Sequence, residues 1–182
     1  MLSPRFAKAT LDERKKVMTR SNRIALVLFL MYAAISALAQ SEAKKSFDQI
    51  KSLAGTWEGK NSQNEPLQVT FKVTSDGSAV MSEIIAPKED MITMFHMNGP
   101  DKLMLTHYCG AGNQPRMQAK ASSDGKTISF DFLDATNLAT PEAGHMQSVA
   151  ITVLDANRHT EEWTFADHGK ERKEVFELYR KI

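Results

Sequence analysis

A short segment near the middle of the chain, THYCGAGNQPR at positions 106–116, concentrates the side chains best suited to chemistry. If Leu105 faces the interior of a strand-built domain, the two-residue period of a strand turns His107 and Cys109 the same way. We therefore predict that His107 and Arg116 hold an anionic or carbonyl group of a ligand, with Cys109 beside them. The competing interpretation is that the glycines and the proline of this segment form a loop whose polar groups satisfy the backbone.

Neither a nucleophile–base pair nor a metal centre follows from these residue types. His107 and Cys109 are neighbours on one strand face, yet the sequence identifies no third group that would orient them. A buried, inert cysteine is the usual state of a free thiol. The histidines have no close ligand spacing, since they stand at positions 96, 107, 145, 159 and 168. We predict no catalytic residue and no metal site, and keep enzymatic activity as the alternative.

The first 39 residues have the layout of a secretory signal peptide. Ile24 to Ala39 is an uncharged apolar run of 16 residues that ends in Ala37-Leu38-Ala39. A membrane-spanning helix needs about 20 such residues, so an uncleaved anchor is the less favoured alternative. We predict cleavage after Ala39 and a periplasmic or secreted domain over residues 40–182. Met18 would begin a signal of ordinary length, and we hypothesise that residues 1–17 precede the true start.

The charge balance changes once this leader is set aside. The whole chain carries a formal net charge of +1. Residues 1–39 hold seven basic and two acidic side chains, which leaves 16 basic and 20 acidic side chains on the remaining 143 residues. A mildly acidic domain has no basic field, so we expect neither nucleic acid nor, after cleavage, a membrane as partner. The single cysteine cannot form an internal disulfide, and a packed core must therefore hold the fold.

From Trp57 onward, apolar residues alternate with polar ones, which is the period of β-strands. Short turn signals, such as Ser75-Asp76-Gly77, separate these runs. Short turns favour antiparallel neighbours, and closing such a meander removes its exposed edges. We predict an all-β, antiparallel up-and-down barrel of about 8–10 strands, preceded by a short helix over Ser46–Leu53. A two-sheet β-sandwich is the alternative.

The residues Gly55-Thr56-Trp57-Glu58-Gly59 resemble the Gly-x-Trp signature of lipocalins and the Gly-x-Trp-x-Gly opening of nitrobindin-like barrels, both of the calycin group. In this respect the domain is similar to exported bacterial barrels of unknown function. The resemblance implies that a basic residue of the last strand lies across Trp57 at the closed end of the barrel, with Arg180 in that role and Lys181 as second choice. It also implies that haem, held by an inward histidine, is a conceivable cofactor.

These observations predict a lipocalin-like, non-catalytic barrel that binds a small, largely apolar molecule. Its expected cavity wall is a set of inward apolar side chains that accompany the polar contacts named above: Phe71, Met94, Leu105, Phe130, Phe132 and Trp163. Flexible methionines on adjacent strands favour an adaptable wall. The alternatives are a haem-binding protein or an isomerase- or cyclase-type enzyme on the same barrel, and an envelope interaction domain with a filled core. Neither the ligand nor the oligomeric state follows from the sequence.

Overall fold

The computed structural model describes residues 42–87, 89–120 and 125–182, so the predicted leader lies outside the described residues. A helix, α1, covers residues 42–52 and reaches back beyond the predicted Ser46. One face of α1 is buried through Phe47 and Ile50, as expected of an amphipathic helix. No helix within the described ranges is long and apolar enough to cross a membrane.

Ten antiparallel strands follow α1. Each strand pairs with the next along the chain, and the last pairs with the first, so the sheet closes on itself. This confirms the predicted meander barrel and replaces the sandwich alternative. The strands are β1 (Gly55–Lys60), β2 (Pro66–Thr74), β3 (Ala79–Ala86), β4 (Glu89–Met97), β5 (Leu103–Tyr108), β6 (Gln114–Ala119), β7 (Thr127–Thr136), β8 (His145–Asp155), β9 (Arg158–Asp167) and β10 (Lys170–Arg180).

The two ends of the barrel are built differently. At the closed end, α1 leads into β1, and Trp57 Nε1 donates a hydrogen bond to the Leu53 carbonyl over 2.7 Å. Trp57 is fully buried there, so the indole fills the interior at this end. The loops that follow β1, β3, β5, β7 and β9 form the opposite end, which we call the open end.

Aromatic and aliphatic side chains fill the interior next to the closed end. Phe71 lies 6.4 Å from Phe95 between ring centres, and Phe95 lies 5.6 Å from Phe130. These rings and Leu105 are buried almost completely. The expected cavity wall at Phe71, Leu105 and Phe130 is therefore packed core, because side chains from opposite strands meet across this part of the barrel.

The register of β4 turns one predicted wall residue outward. Thr93 and Phe95 are buried and face the interior, so the alternation puts Met94 on the outer face, opposite Met81 of β3. His96 shares that outer face and is half-buried. The correction has a simple cause: a methionine-rich strand is apolar on both faces, and only the pairing decides which face is enclosed.

Candidate functional site

A cavity of about 520 Å³ opens at the open end of the barrel. Among the side chains that line it are six large apolar ones: Leu67, Met91, Met146, Trp163, Phe165 and Phe176. They come from β2, β4, β8, β9 and β10, and so the wall surrounds the space from several sides. A volume of this size falls in the range of small-molecule sites, and the lining mixes apolar with polar surface.

Charged side chains line the same cavity beside this apolar wall. The described lining contains the carboxylates of Glu65, Glu89 and Glu174 and the guanidinium of Arg172. Asn61 Nδ2 donates a hydrogen bond to Glu65 over 3.1 Å. The Arg172 guanidinium lies 5.5 Å from the ring centre of Phe165, which is a cation–π contact. The described lining therefore combines an apolar surface with an excess of negative charge.

The β5–β6 loop contributes Cys109 and Gly110 to the wall. A Cβ atom on Gly110 would lie 2.7 Å from Glu89 Oε2, so the missing side chain makes room for that carboxylate. Burial raises the pKa of the Cys109 thiol, and the nearby Glu89 charge raises it further, against a backbone hydrogen bond from Ala111 that lowers it. The thiol is therefore protonated at neutral pH, which makes it a poor nucleophile.

The β7–β8 loop lies at the open end and is hydrogen-bonded to the loops beside it. Asn113 Nδ2 donates a hydrogen bond to the Gly144 carbonyl over 2.8 Å, and Asn137 Nδ2 donates one to the Gly112 carbonyl over 2.6 Å. The His168 backbone N–H donates to the Glu142 carbonyl over 2.8 Å. These bonds tie residues 137–144 to two neighbouring loops.

His107 faces the interior, as the alternation predicted, and is fully buried. Its Nδ1 shares a hydrogen bond of 2.8 Å with Thr93 Oγ1, and its ring centre lies 4.7 Å from that of Trp163. Its Nε2 has no hydrogen-bond partner among the described residues. Burial lowers the pKa of His107 to about 4, so the ring is neutral at physiological pH. His107 therefore supports the Trp163 side of the cavity and is not itself part of its lining.

A buried carboxylate, that of Glu161, accepts a hydrogen bond from the Trp163 indole. Glu161 is only 1% exposed, and Trp163 Nε1 donates a hydrogen bond to its Oε2 over 2.9 Å. The second oxygen, Oε1, lies 3.3 Å from His159 Nε2. The His159 ring in turn meets the ring of Trp57 edge-on, with 4.3 Å between centres. A continuous set of contacts along β9 thus joins the cavity wall to the closed end.

The structure separates Arg116 from the cavity. Arg116 lies on the outer face, half-exposed, and its Nε and Nη2 donate to the two carboxylate oxygens of Asp134 over 2.6 and 2.5 Å. The pairing of β6 with β7 shifts between Arg116 and Met117, and this irregularity places Asp134 opposite Arg116. The expected joint contact of His107 and Arg116 with a ligand is therefore absent, because the two side chains lie on opposite faces of the barrel wall.

The other predicted wall residues lie in different parts of the barrel. Trp163 and Cys109 are among the residues that line the cavity. Phe132 is half-buried, and its ring centre lies 4.4 Å from that of His145. Leu105 and Phe130 belong to the packed core, and Met94 lies on the outer face.

Several lining residues escaped the sequence analysis. The pattern of β10 contains the missing signal, since Phe176 and Leu178 face inward and a two-residue step backward reaches Glu174 and Arg172. The strand β10 begins at Lys170, five residues before Val175, which is its first apolar residue. The first part of β10 is hard to recognise from the sequence because it is charged. A strand with polar side chains at inward positions does not show the apolar–polar alternation by which strands are recognised.

The described residues do not fit the haem site that the resemblance implies. No described histidine lines the cavity. His145 Nε2 lies 3.0 Å from Gln147 Oε1, and His159 is bonded to Glu161 near the closed end. No group of three His, Cys, Asp or Glu side chains in the described part of the chain could hold a metal ion. The cavity thus offers no histidine nitrogen to an iron centre.

The chain resembles solved structures by fold but not by sequence. No protein-family model matches it, and no curated protein matches its sequence. Rv2717c from M. tuberculosis is similar with a TM-score of 0.53 and 13% identity, over 74% of this chain and 96% of that one. A protein of unknown function from the DUF3598 family of Nostoc punctiforme is similar with a TM-score of 0.52 and 10% identity, over 72% of this chain. This chain spans 48% of that second protein. At such identities the similarity establishes the barrel fold alone.

Proposed function

We propose that this barrel binds a small, largely apolar molecule in the cavity at its open end, without catalysing a reaction. The observation that carries the proposal is the cavity of about 520 Å³ with an apolar wall that includes Trp163 and Phe176. Burying an apolar ligand against this wall removes nonpolar surface of both partners from water, which favours binding.

The protonation states of Cys109 and His107 support binding over catalysis. Cys109 has a raised pKa and His107 a lowered one, so neither is charged near neutral pH. An enzyme on this scaffold would need a group whose pKa lies near the working pH. As part of the proposal, the domain acts as a lipocalin-like carrier in the periplasm or secreted fluid, after cleavage behind Ala39.

The two tryptophans of the chain allow the binding position to be tested. Trp163 lines the cavity, and Trp57 is buried at the closed end. Decan-1-ol is added to the mature protein, and its uptake is followed by native mass spectrometry and tryptophan fluorescence. In the Trp57→Phe variant the remaining indole should respond to decanol; in the Trp163→Phe variant it should not.

A matched pair of substitutions tests the cavity itself. Leu67→Phe places a larger side chain in the lining and should lower decanol affinity. Leu133→Phe makes the same change at an outer position that is 52% exposed, and it should leave the affinity unchanged. No uptake of decanol, or a response confined to Trp57, would contradict the proposed function.

A further inference from the structure

We propose that the ligand of this cavity carries a positive charge, an amine or quaternary ammonium group attached to an apolar body, and that Glu174 and the adjoining aromatic rings hold that group. The inference rests on the proposed function and names the chemical class of its ligand. Three features carry it: the direction of the Glu174 side chain, its lack of a partner, and the rings around it.

Glu174 faces the barrel interior. It precedes Phe176 and Leu178 at two-residue steps along β10, and these two side chains are 6% and 0% exposed. Its Cα atom pairs with that of Trp163 on β9, and directly paired residues share a face of the sheet. The Glu174 carboxylate thus enters the cavity beside the Trp163 indole.

The half-buried Glu174 carboxylate has no ion pair or hydrogen bond among the described residues. Glu162 on the outer wall differs in this respect, since its carboxylate is bonded to Lys173 over 2.6 Å. A carboxylate withdrawn from water without a partner loses solvation free energy. A cation bound in the cavity would restore part of that loss, whereas a neutral ligand would increase it.

Aromatic rings surround this position. Trp163 and Phe176 lie beside Glu174 by register and along the strand, and Phe165 lies farther out on β9. The faces of such rings attract cations, and Arg172 already lies over the ring of Phe165. Rings together with a carboxylate are the chemistry by which proteins bind ammonium groups.

The charge of the cavity points in the same direction. Apart from Glu65, which is hydrogen-bonded to Asn61, the described lining holds the carboxylates of Glu89 and Glu174 against the guanidinium of Arg172, so these described charges favour a cation over an anion. The competing occupant is an apolar carboxylate bound to Arg172. That arginine stands next to Glu174 on the same inward face of β10, which weakens its attraction for an anion.

Three probes with the same alkyl chain distinguish these occupants: decyltrimethylammonium, decan-1-ol and decanoate, each below its micelle concentration. Binding to the mature protein is measured by calorimetry and by Trp163 fluorescence. We expect decyltrimethylammonium to bind most tightly and decanoate least. Glu174→Gln should lower the affinity for decyltrimethylammonium about tenfold and change the affinity for decanol less than about twofold.

Glu171→Gln is the matched control, because it makes the same substitution on the exposed outer face of β10 and should leave all three affinities unchanged. Arg172→Gln should strengthen binding of the cationic probe. Two results would contradict the cationic ligand but leave the proposed apolar site intact. In the first, decanol binds and decyltrimethylammonium binds no more tightly than decanol. In the second, Glu174→Gln changes the affinities no more than Glu171→Gln does. Tightest binding of decanoate, lost in Arg172→Gln, would assign an anionic ligand instead. If no probe binds, both the inference and the proposed function are wrong.

Discussion

The guanidinium carbon of Arg180 lies 4.2 Å from the ring centre of Trp57, which joins the last strand of the barrel to the first. Arg180 also donates hydrogen bonds from Nε, Nη1 and Nη2 to the carbonyls of Ala156, Ala54 and Ser52, over 2.9, 2.9 and 3.1 Å. One side chain thus connects α1, β1, the β8–β9 turn and β10. This contact stabilises the closed end and leaves the open end free for the cavity.

Removing the Arg180 guanidinium should destabilise the barrel. Arg180→Met retains much of the aliphatic stem but loses the cation–π contact and three hydrogen bonds, so we expect a loss of about 2–3 kcal/mol in the free energy of unfolding. Arg180→Lys keeps the positive charge but lacks the planar guanidinium group. Its free energy of unfolding should therefore lie between those of Arg180→Met and the wild type. Urea denaturation measures both, and equal stability of Arg180→Met and wild type would show that the contact contributes nothing.

Gly59 should be intolerant of a side chain because β1 and β10 approach closely there. A Cβ atom at Gly59 would lie 1.8 Å from the Glu177 carbonyl oxygen, so Gly59→Ala must separate the two strands. We expect a loss of about 3 kcal/mol or failure to fold. Gly77 has a positive φ of 81° and nothing within 4 Å, so Gly77→Ala tests backbone strain alone and should cost about 1 kcal/mol. Thermal unfolding that ranks Gly77→Ala as the worse variant would contradict this account.

The buried His107 should make the barrel less stable as the pH falls. Burial lowers its folded-state pKa from 6.5 to about 4. Between these values the unfolded chain binds a proton that the folded chain rejects, so stability present above pH 6.5 is lost toward pH 4, by on the order of 3 kcal/mol. His107→Gln should flatten this part of the pH profile of unfolding. An NMR titration in which the His107 ring protonates near pH 6.5 would rule the explanation out.

Replacing Glu161 with an apolar side chain should destabilise the barrel more than replacing it with an amide. Glu161→Leu leaves the Trp163 N–H and the His159 ring without their buried partner, and we expect a loss of about 3 kcal/mol. Glu161→Gln retains an oxygen that can accept from Trp163 and should cost less. Guanidinium unfolding of the two variants gives the comparison, and a Leu variant as stable as the Gln variant would mean that the hydrogen bond to Trp163 is dispensable.

Arg116→Gln should leave the cavity unaffected. The Arg116 guanidinium, through its hydrogen bonds to Asp134, lowers the pKa of that carboxyl. The substitution should therefore raise the pKa of Asp134 toward its usual value, as an NMR titration of the carboxyl carbon would show. The decanol affinity should equal that of the wild type. A loss of affinity would show that Arg116 takes part in binding after all.

Sequence and structure agree best where local periodicity decides the outcome. The alternation around Leu105 predicted that His107 faces inward, and the buried ring follows it. Alternation failed where a strand is apolar on both faces, as at Met94, whereas Arg116 was assigned to the site from its position near a loop and not from alternation. It also missed Glu174, because a charged inward position interrupts the pattern.

The sequence by itself determined the class of the fold: short turns between alternating segments permit few arrangements other than a closed antiparallel meander. The resemblance noted for residues 55–59 also implied that Trp57 and Arg180 are partners, although the residues stand at opposite ends of the domain. Only the tertiary structure decided that the interior beside Phe71 and Phe130 is filled and that the cavity lies at the open end. The period of a strand is a local property, whereas the space inside a barrel depends on which side chains meet across it, and that depends on the register of all ten strands.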